Sequence, residues 1–372
     1  MPALLLKLLI LSALLLGLPL LGVALAGGAL APYLEFPPRS RFVQHAEFDW
    51  QVFTFTGLAS AFAIVVAFRL LRAGLRSREL PRQPGHFPLW GWAAAALLGA
   101  SWVLAWTRFQ WFAPLQPFTF PFLWLGYTLT INAFTARIRG GCLLTENPRY
   151  FLALFPLSAL FWWYFEYLNR FVQNWDYIGT SDFAPSVYVV HATVAFATVL
   201  PAVMSTADWL QSLLRPGPSG PRWDLAAPLR RPMAVASLGL FAAVLLGLGL
   251  WPNLLYPMLW IAPLAVLLAL QVLLREPTVM GCMERGDWRA LYVPALAALQ
   301  CGVLWELWNY WSAAKWVYSI PYVDRFHVFE MPLLGYAGYV PFGIECAAVA
   351  YMLTAGTRLS GPIFGPPRRS EE

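Results

Sequence analysis

Charge is scarce in this chain. Only 12% of its 372 residues are Asp, Glu, Lys or Arg, about half the share of a soluble domain. So few solvating groups exclude a soluble enzyme and a disordered protein. Cysteine is equally sparse: there are four, none in a CxxC or Cys/His metal spacing, so no disulfide framework is expected. Four histidines, none paired at helical spacing, argue against di-iron hydroxylase boxes and bis-His haem. No cofactor and no metal is expected, with one mixed site at His327 and Glu330 left open. The net charge of +6 is read below as topology and not as a nucleic-acid site.

What is present is apolar. Hydrophobic residues make up 59% of the chain, aromatic residues 16%, and Trp alone occurs 19 times. About 20 apolar residues span a bilayer as a helix. Ten segments qualify: 3–26, 50–70, 88–107, 118–136, 150–168, 185–206, 232–250, 254–274, 290–311 and 332–355. The first is either a retained anchor or a signal peptide, since Lys7, an apolar run and Ala24-Leu25-Ala26 suit both. With the N-terminus inside, 19 of the 25 Lys and Arg residues face the cytoplasm, the asymmetry expected of a polytopic inner-membrane protein. Both termini are then cytoplasmic.

The chain also matches itself at an offset of about 140 residues. Gly141-Cys142 pairs with Gly281-Cys282, Arg149 with Arg289, Glu166 and Asn169 with Glu306 and Asn309, and Pro201 with Pro341. Trp175 and Tyr177 match Trp316 and Tyr318 after a slip of one residue. The expected fold is all-α: a two-span unit (1–84), a four-span repeat (85–212), a cytoplasmic linker (213–228), a second repeat (229–356) and a cytoplasmic tail (357–372). Four spans are an even number, so both repeats insert alike and their axis runs along the membrane normal.

Candidate chemistry follows the acids. Glu166/Asn169 and Glu306/Asn309 each lie three residues apart on one helix face, so the amide either holds the carboxyl or shares a ligand with it. Each Glu lies 17 positions beyond Arg149 or Arg289, roughly 25 Å along a helix and near the outer interface. His327 and Glu330 stand at the outer mouth of the last span. Pro332 is expected to open that span and Pro341 to kink it, with Glu345 near the midplane. An ionisable group inside the bilayer points to function. His191 aligns with Met331, beside Glu330, and so belongs to the same outer layer. Rings concentrate on the acid-bearing helices: Trp162, Trp163, Tyr164, Trp175 and Tyr177 about the first pair; Trp305, Trp308, Trp311, Trp316 and Tyr318 about the second.

Trp305-Glu306, Trp316-Val317-Tyr318 and Pro332, with Phe165-Glu166 and Trp175-Asp176-Tyr177 in the first copy, resemble the duplicated membrane lycopene cyclase domain. The resemblance covers about 45 residues per repeat. It implies a helical fold and isoprenoid substrates. That family carries two carboxylates directly after its proline, where this chain has Leu333-Leu334.

Three functions are compatible with these residues. The first is an enzyme acting on an apolar lipid or isoprenoid, with Glu166, Glu306, Glu330 or Glu345 as acid/base. In it, Asn169, Asn309, Trp305, Trp308, Trp316, Tyr318, His191 and His327 contact the substrate. The second is a transporter or channel built on parallel repeats. The third is a non-catalytic subunit or assembly factor that docks a membrane or periplasmic protein.

Overall fold

The computed structural model describes residues 2–38, 43–76, 85–214, 219–223 and 227–353. The tail 357–372 and the linker stretch 215–218 lie outside the described residues, as do Arg39, Arg41, Arg78, Arg82, Arg215, Arg358, Arg368 and Arg369. Within them the chain is mostly helical. Its principal elements are α1 (Lys7–Leu25), α2 (Trp50–Arg76), α3 (Leu89–Trp106), α4 (Phe120–Arg139), α5 (Pro148–Val172), β1 (Trp175–Ile178), α6 (Pro185–Phe196), α7 (Val199–Ser212), α8 (Ala227–Leu250), α9 (Ala262–Leu273), α10 (Arg289–Tyr310), β2 (Lys315–Tyr318), β3 (His327–Val328), β4 (Met331–Pro332) and α11 (Tyr339–Met352).

Among the described residues, eight helices are long and apolar enough to cross a membrane, or nine if one bent pair counts as a single span. This marks a multi-pass membrane protein. Three of the ten expected segments differ in detail. Segment 254–274 is broken into Pro252–Trp260 and Ala262–Leu273, bent by 54°, with Pro257 and Pro263 each opening a new turn. Segment 118–136 is helical, but its threonines and Asn132, with Arg137 and Arg139 in the last turn of the helix, leave it less apolar than the others. Two polar side chains of this helix, Asn132 and Tyr127, are turned inward onto α7. Asn132 donates to Ser205 Oγ (2.8 Å) and accepts from Leu144 N (3.1 Å), and Tyr127 meets Thr206 (2.8 Å). The last segment begins as a 3₁₀ turn, Leu333–Gly338, and becomes α-helical only at Tyr339.

That late start corrects two proline assignments. Pro332 does stand at the mouth of the span, but it caps a 3₁₀ turn and not an α-helix, and it also pairs with His327 across β3 and β4. Pro341 falls in the first turn of α11, where a missing N–H leaves no intrahelical bond unmade, so it marks the break and kinks nothing. Pro201 stands at the same place in α7, just after a break from α6 at Ala197-Thr198. Ser158 stitches that break, donating to Phe196 O (2.6 Å) and accepting from Leu200 N (3.0 Å).

Loop contacts fall into two groups. One joins Lys7 to Glu276 (2.7 Å), Gly85 to Arg137, Arg139 to Asp208 and Ser219 to Gly286. The other joins Tyr33 to Arg170, His45 to Gln173, Ala46 to Tyr322 and Arg108 to Trp311. These are the two ends of the bundle. All four cysteines are free and buried. Burial pushes the Cys282 thiol up to about 11, so it stays protonated at neutral pH.

The first helix is packed into the body. A Cβ on Gly22 would come within 2.0 Å of the Leu246 carbonyl oxygen, and one on Gly249 within 2.2 Å of that of Pro19. Only glycine allows α1 and α8 to approach this closely. Gly249→Val is therefore expected to cost about 1–3 kcal/mol of stability, read as a lower midpoint of thermal unfolding in detergent. An unchanged midpoint would show that α1 does not dock there.

Candidate functional site

The two W-x-Y segments meet. β1 and β2 run antiparallel, with Trp175 opposite Tyr318, Asp176 opposite Val317 and Tyr177 opposite Trp316. Four-residue strands are marginal alone, and the two asparagines hold them. Asn169 donates to Trp175 O (2.7 Å) and accepts from Asn174 N (2.8 Å). Asn309 donates to Trp316 O (2.7 Å) and accepts from Trp316 N (3.0 Å). The amides of both residues thus bind strand backbone, not the neighbouring carboxyl.

Each carboxyl gathers donors instead. Glu166 Oε1 accepts from Trp162 Nε1 (3.1 Å), Trp175 Nε1 (3.1 Å) and the Tyr177 hydroxyl (2.6 Å). Glu306 Oε1 accepts from Trp316 Nε1 (3.4 Å) and the hydroxyls of Tyr318 (2.7 Å) and Tyr339 (3.2 Å). Trp316 Nε1 also donates to the Tyr318 hydroxyl (2.8 Å). Burial, then the adjacent carboxylate, raises the Tyr177 and Tyr318 hydroxyls well above the ordinary tyrosine range, so both remain donors.

The third donor comes from different places in the two clusters. Trp162 lies four residues before Glu166, whereas Gly302 lies four before Glu306. A Cβ on Gly302 would lie 2.3 Å from the Tyr339 ring. The missing side chain therefore leaves room for Tyr339 to reach Glu306 from α11.

These rings wall a cavity of about 120 Å³. Trp162, Trp175, Tyr177, Trp316, Tyr318 and Tyr339 line it, while Glu166 and Glu306 stand behind them. Because the polar atoms of these rings are turned to the carboxylates, the wall presents carbon. Trp260, from the break in the eighth segment, stacks on Trp175 (6.0 Å, 25°), and Phe120 meets Trp316 edge-on (5.5 Å, 85°). His191, Trp305, Met331 and Lys315 complete the lining that matters here.

Of the expected site residues, Trp305, Trp316, Tyr318 and His191 line the cavity, and Glu166, Glu306, Asn169 and Asn309 support its wall. Glu330 is bound to Lys315 at the rim. His327 is largely exposed and pairs with Asp324 (2.8 Å), so it does not join Glu330. Trp308 is buried behind the lining, in a ring cluster with Trp124 and Tyr127 that joins the wall where Trp124 packs on Trp305 (4.9 Å). Glu345 is buried on α11, outside the cavity lining, with Oε2 unpartnered. Among the described residues no group of three or more His, Cys, Asp or Glu could hold a metal ion. Trp260 and Tyr339 were not expected; the gap at Gly302 is the one sequence signal that a ring from elsewhere is needed.

No protein-family model matches the chain, no curated protein matches its sequence, and no solved structure matches its fold.

Glu306→Leu leaves the Tyr318 and Tyr339 hydroxyls without their buried acceptor and is expected to cost about 2–4 kcal/mol. Glu306→Gln keeps an acceptor oxygen and is expected to cost roughly half as much or less. Thermal unfolding of the two variants checks this, and equal effects would contradict the donor-gathering role.

Proposed function

We propose that the cavity binds an apolar lipid or isoprenoid between two halves of a duplicated membrane protein. One observation carries the reading: six rings of the wall, Trp162, Trp175, Tyr177, Trp316, Tyr318 and Tyr339, have their N–H or O–H engaged by a carboxylate behind them, leaving ring faces toward the ligand. Such a wall rewards apolar contact and offers stabilisation to positive charge developing along a chain. The carboxylates Glu166 and Glu306 act here as positioning groups. Acid/base conversion is the second reading, favoured by the Tyr177 and Tyr318 hydroxyls, which stand between each carboxyl and the cavity. In that reading Glu166 and Glu306 exchange protons with the ligand only through these hydroxyls. The layout we infer has ten spans, with the sheet end on the outer side of the inner membrane, both termini cytoplasmic and α1 retained.

The strand register supports the duplication. Asp176 faces Val317, its own counterpart at an offset of 141, and the flanking pairs exchange Trp for Tyr symmetrically. Trp260 and Phe120, 140 residues apart, likewise pack on Trp175 and Trp316.

Two experiments test these readings. Titrating the purified protein in detergent with geranylgeraniol is expected to quench its tryptophan fluorescence saturably, and Trp175→Ala with Trp316→Ala to weaken binding at least about tenfold. An unsaturable, variant-independent signal would sink the binding reading. For the duplication, Gly302→Trp collides with Tyr339, while Gly302→Trp with Tyr339→Val rebuilds the Trp162/Val199 arrangement. The pair is expected to be more stable than the Gly302→Trp single variant, with about 1–3 kcal/mol of coupling. Simple additivity in thermal unfolding would count against it.

A further inference from the structure

The aromatic cavity is small for the ligand class that suits its walls. An apolar cavity of about 150 Å³ takes a single benzene ring, so one of about 120 Å³ holds one end of a lipid or isoprenoid and not its whole chain. A larger chamber of about 400 Å³ lies beside it, between α2 and the two 3₁₀ turns Tyr256–Trp260 and Leu333–Gly338. Six residues line both spaces: Trp175, Trp260, Tyr318, Met331, Gly335 and Gly338. At the two glycines the partition has no side chain of its own, and a Cβ on Gly335 would lie 2.2 Å from Met331 Sδ. On the far side, α2 contributes Thr56, Ala59, Ser60 and Ala63. Small residues at this spacing ordinarily draw membrane helices together; here they face the chamber. Thr56 donates to Val52 O (2.6 Å) and Ser60 to Thr56 O (2.6 Å), so both hydroxyls are spent on their own helix and this wall also presents carbon.

The chamber has a counterpart at the repeat offset. Phe118, Pro121, Val194 and Ala197 line a groove that also borders the cavity; Met258, Ile261, Leu334 and Ala337, each 140 residues later, line the chamber. His191 stands between groove and cavity as Met331 stands between chamber and cavity. A side space that recurs in this way is a built feature and not a packing flaw. The partitions differ: Gly335 and Gly338 correspond to Ala195 and Thr198, so the one beside the chamber is the thinner. α2 covers the chamber, whereas the groove is exposed at Phe122, Val187, Val190 and Val194. We infer that the ligand is a long apolar chain held in both spaces, one end among the aromatic rings and the remainder in the chamber against α2. This rests on the cavity being a ligand site. Met331 is the part that yields, because its unbranched thioether chain turns aside about three rotatable bonds.

The test measures binding of geraniol, farnesol and geranylgeraniol, which have two, three and four isoprene units, by tryptophan quenching of the full chain in lipid nanodiscs. Ligand is expressed as its mole fraction in the bilayer, so that unequal partitioning does not pass for affinity. Affinity is expected to rise with length, geranylgeraniol binding about tenfold more tightly than geraniol, equivalent to roughly 1.4 kcal/mol. Ala59→Phe with Ala63→Phe fills the chamber from α2, where both alanines are exposed. This variant should still bind geraniol saturably, with geranylgeraniol brought to within about twofold of it. Val190→Phe, placed in the groove, should keep the tenfold preference. Met331→Ala, which opens the partition, should speed association of geranylgeraniol at least about threefold. Preference retained when the chamber is filled, or lost when the groove is filled, would overturn the chamber assignment. An unchanged association rate in Met331→Ala would overturn the role of Met331. Saturable binding of all three alcohols without length preference would leave the cavity reading standing and the chamber refuted. Binding of none would refute both.

Discussion

A buried carboxylate oxygen that collects three ring donors is the interaction on which the site depends. Indole N–H and phenol O–H groups inside an apolar bundle are costly unless paired. Glu166 and Glu306 satisfy them in two sets of three. The consequence is directional. With the polar edges held by an acceptor behind the wall, the ring faces are fixed toward the cavity. An acid that reads as a reactive group in the sequence thus becomes, in space, the part that makes the cavity apolar. The number of donors is also preserved more strictly than their source. Trp162 supplies the third donor on one side, while Gly302 yields its place to Tyr339 on the other.

The strands extend that constraint across the molecule. Each W-x-Y segment presents its rings to the carboxylate on the helix before it while its backbone pairs with the other W-x-Y segment. Asn169 and Asn309 set the height of each strand above its helix, because each amide bridges the helix end to a Trp backbone. Moving one strand by one residue would turn its Trp and Tyr to the opposite face and strip its carboxylate of two of three donors. Register and cavity chemistry are therefore one constraint.

Much of this was legible in the sequence, and the remainder was hidden for physical reasons. Helix length and apolarity expose spans, and a repeated Glu-x-x-Asn followed by W-x-Y exposes the wall. Hydropathy averages over a window, so it did not reveal that 254–274 bends at Ile261 and delivers Trp260 to the cavity. Nor did it separate Pro341 in a first turn from Pro341 in a helix middle. Partners drawn from distant helices carry no local periodicity, which is why Tyr339 was missed. Glu330, His327 and Glu345 stood out as ionisable groups near apolar runs. Glu330 is tied to Lys315 and His327 to Asp324, and packing places Glu345 on α11 away from the lining.

The cavity is not symmetric even where the two halves correspond most closely. At the 140-residue offset His191 matches Met331, and both side chains line the cavity. An imidazole therefore stands on one side of the cavity where the other side offers a thioether. Lys315, tied to Glu330, adds a cation at the rim, whereas the residue 141 positions earlier is Asn174. A uniformly apolar ligand would gain nothing from that difference. A molecule with one polar end would gain a preferred direction from it. On the proposed duplication, divergence at these positions gives a site built from two like halves a single orientation for its ligand.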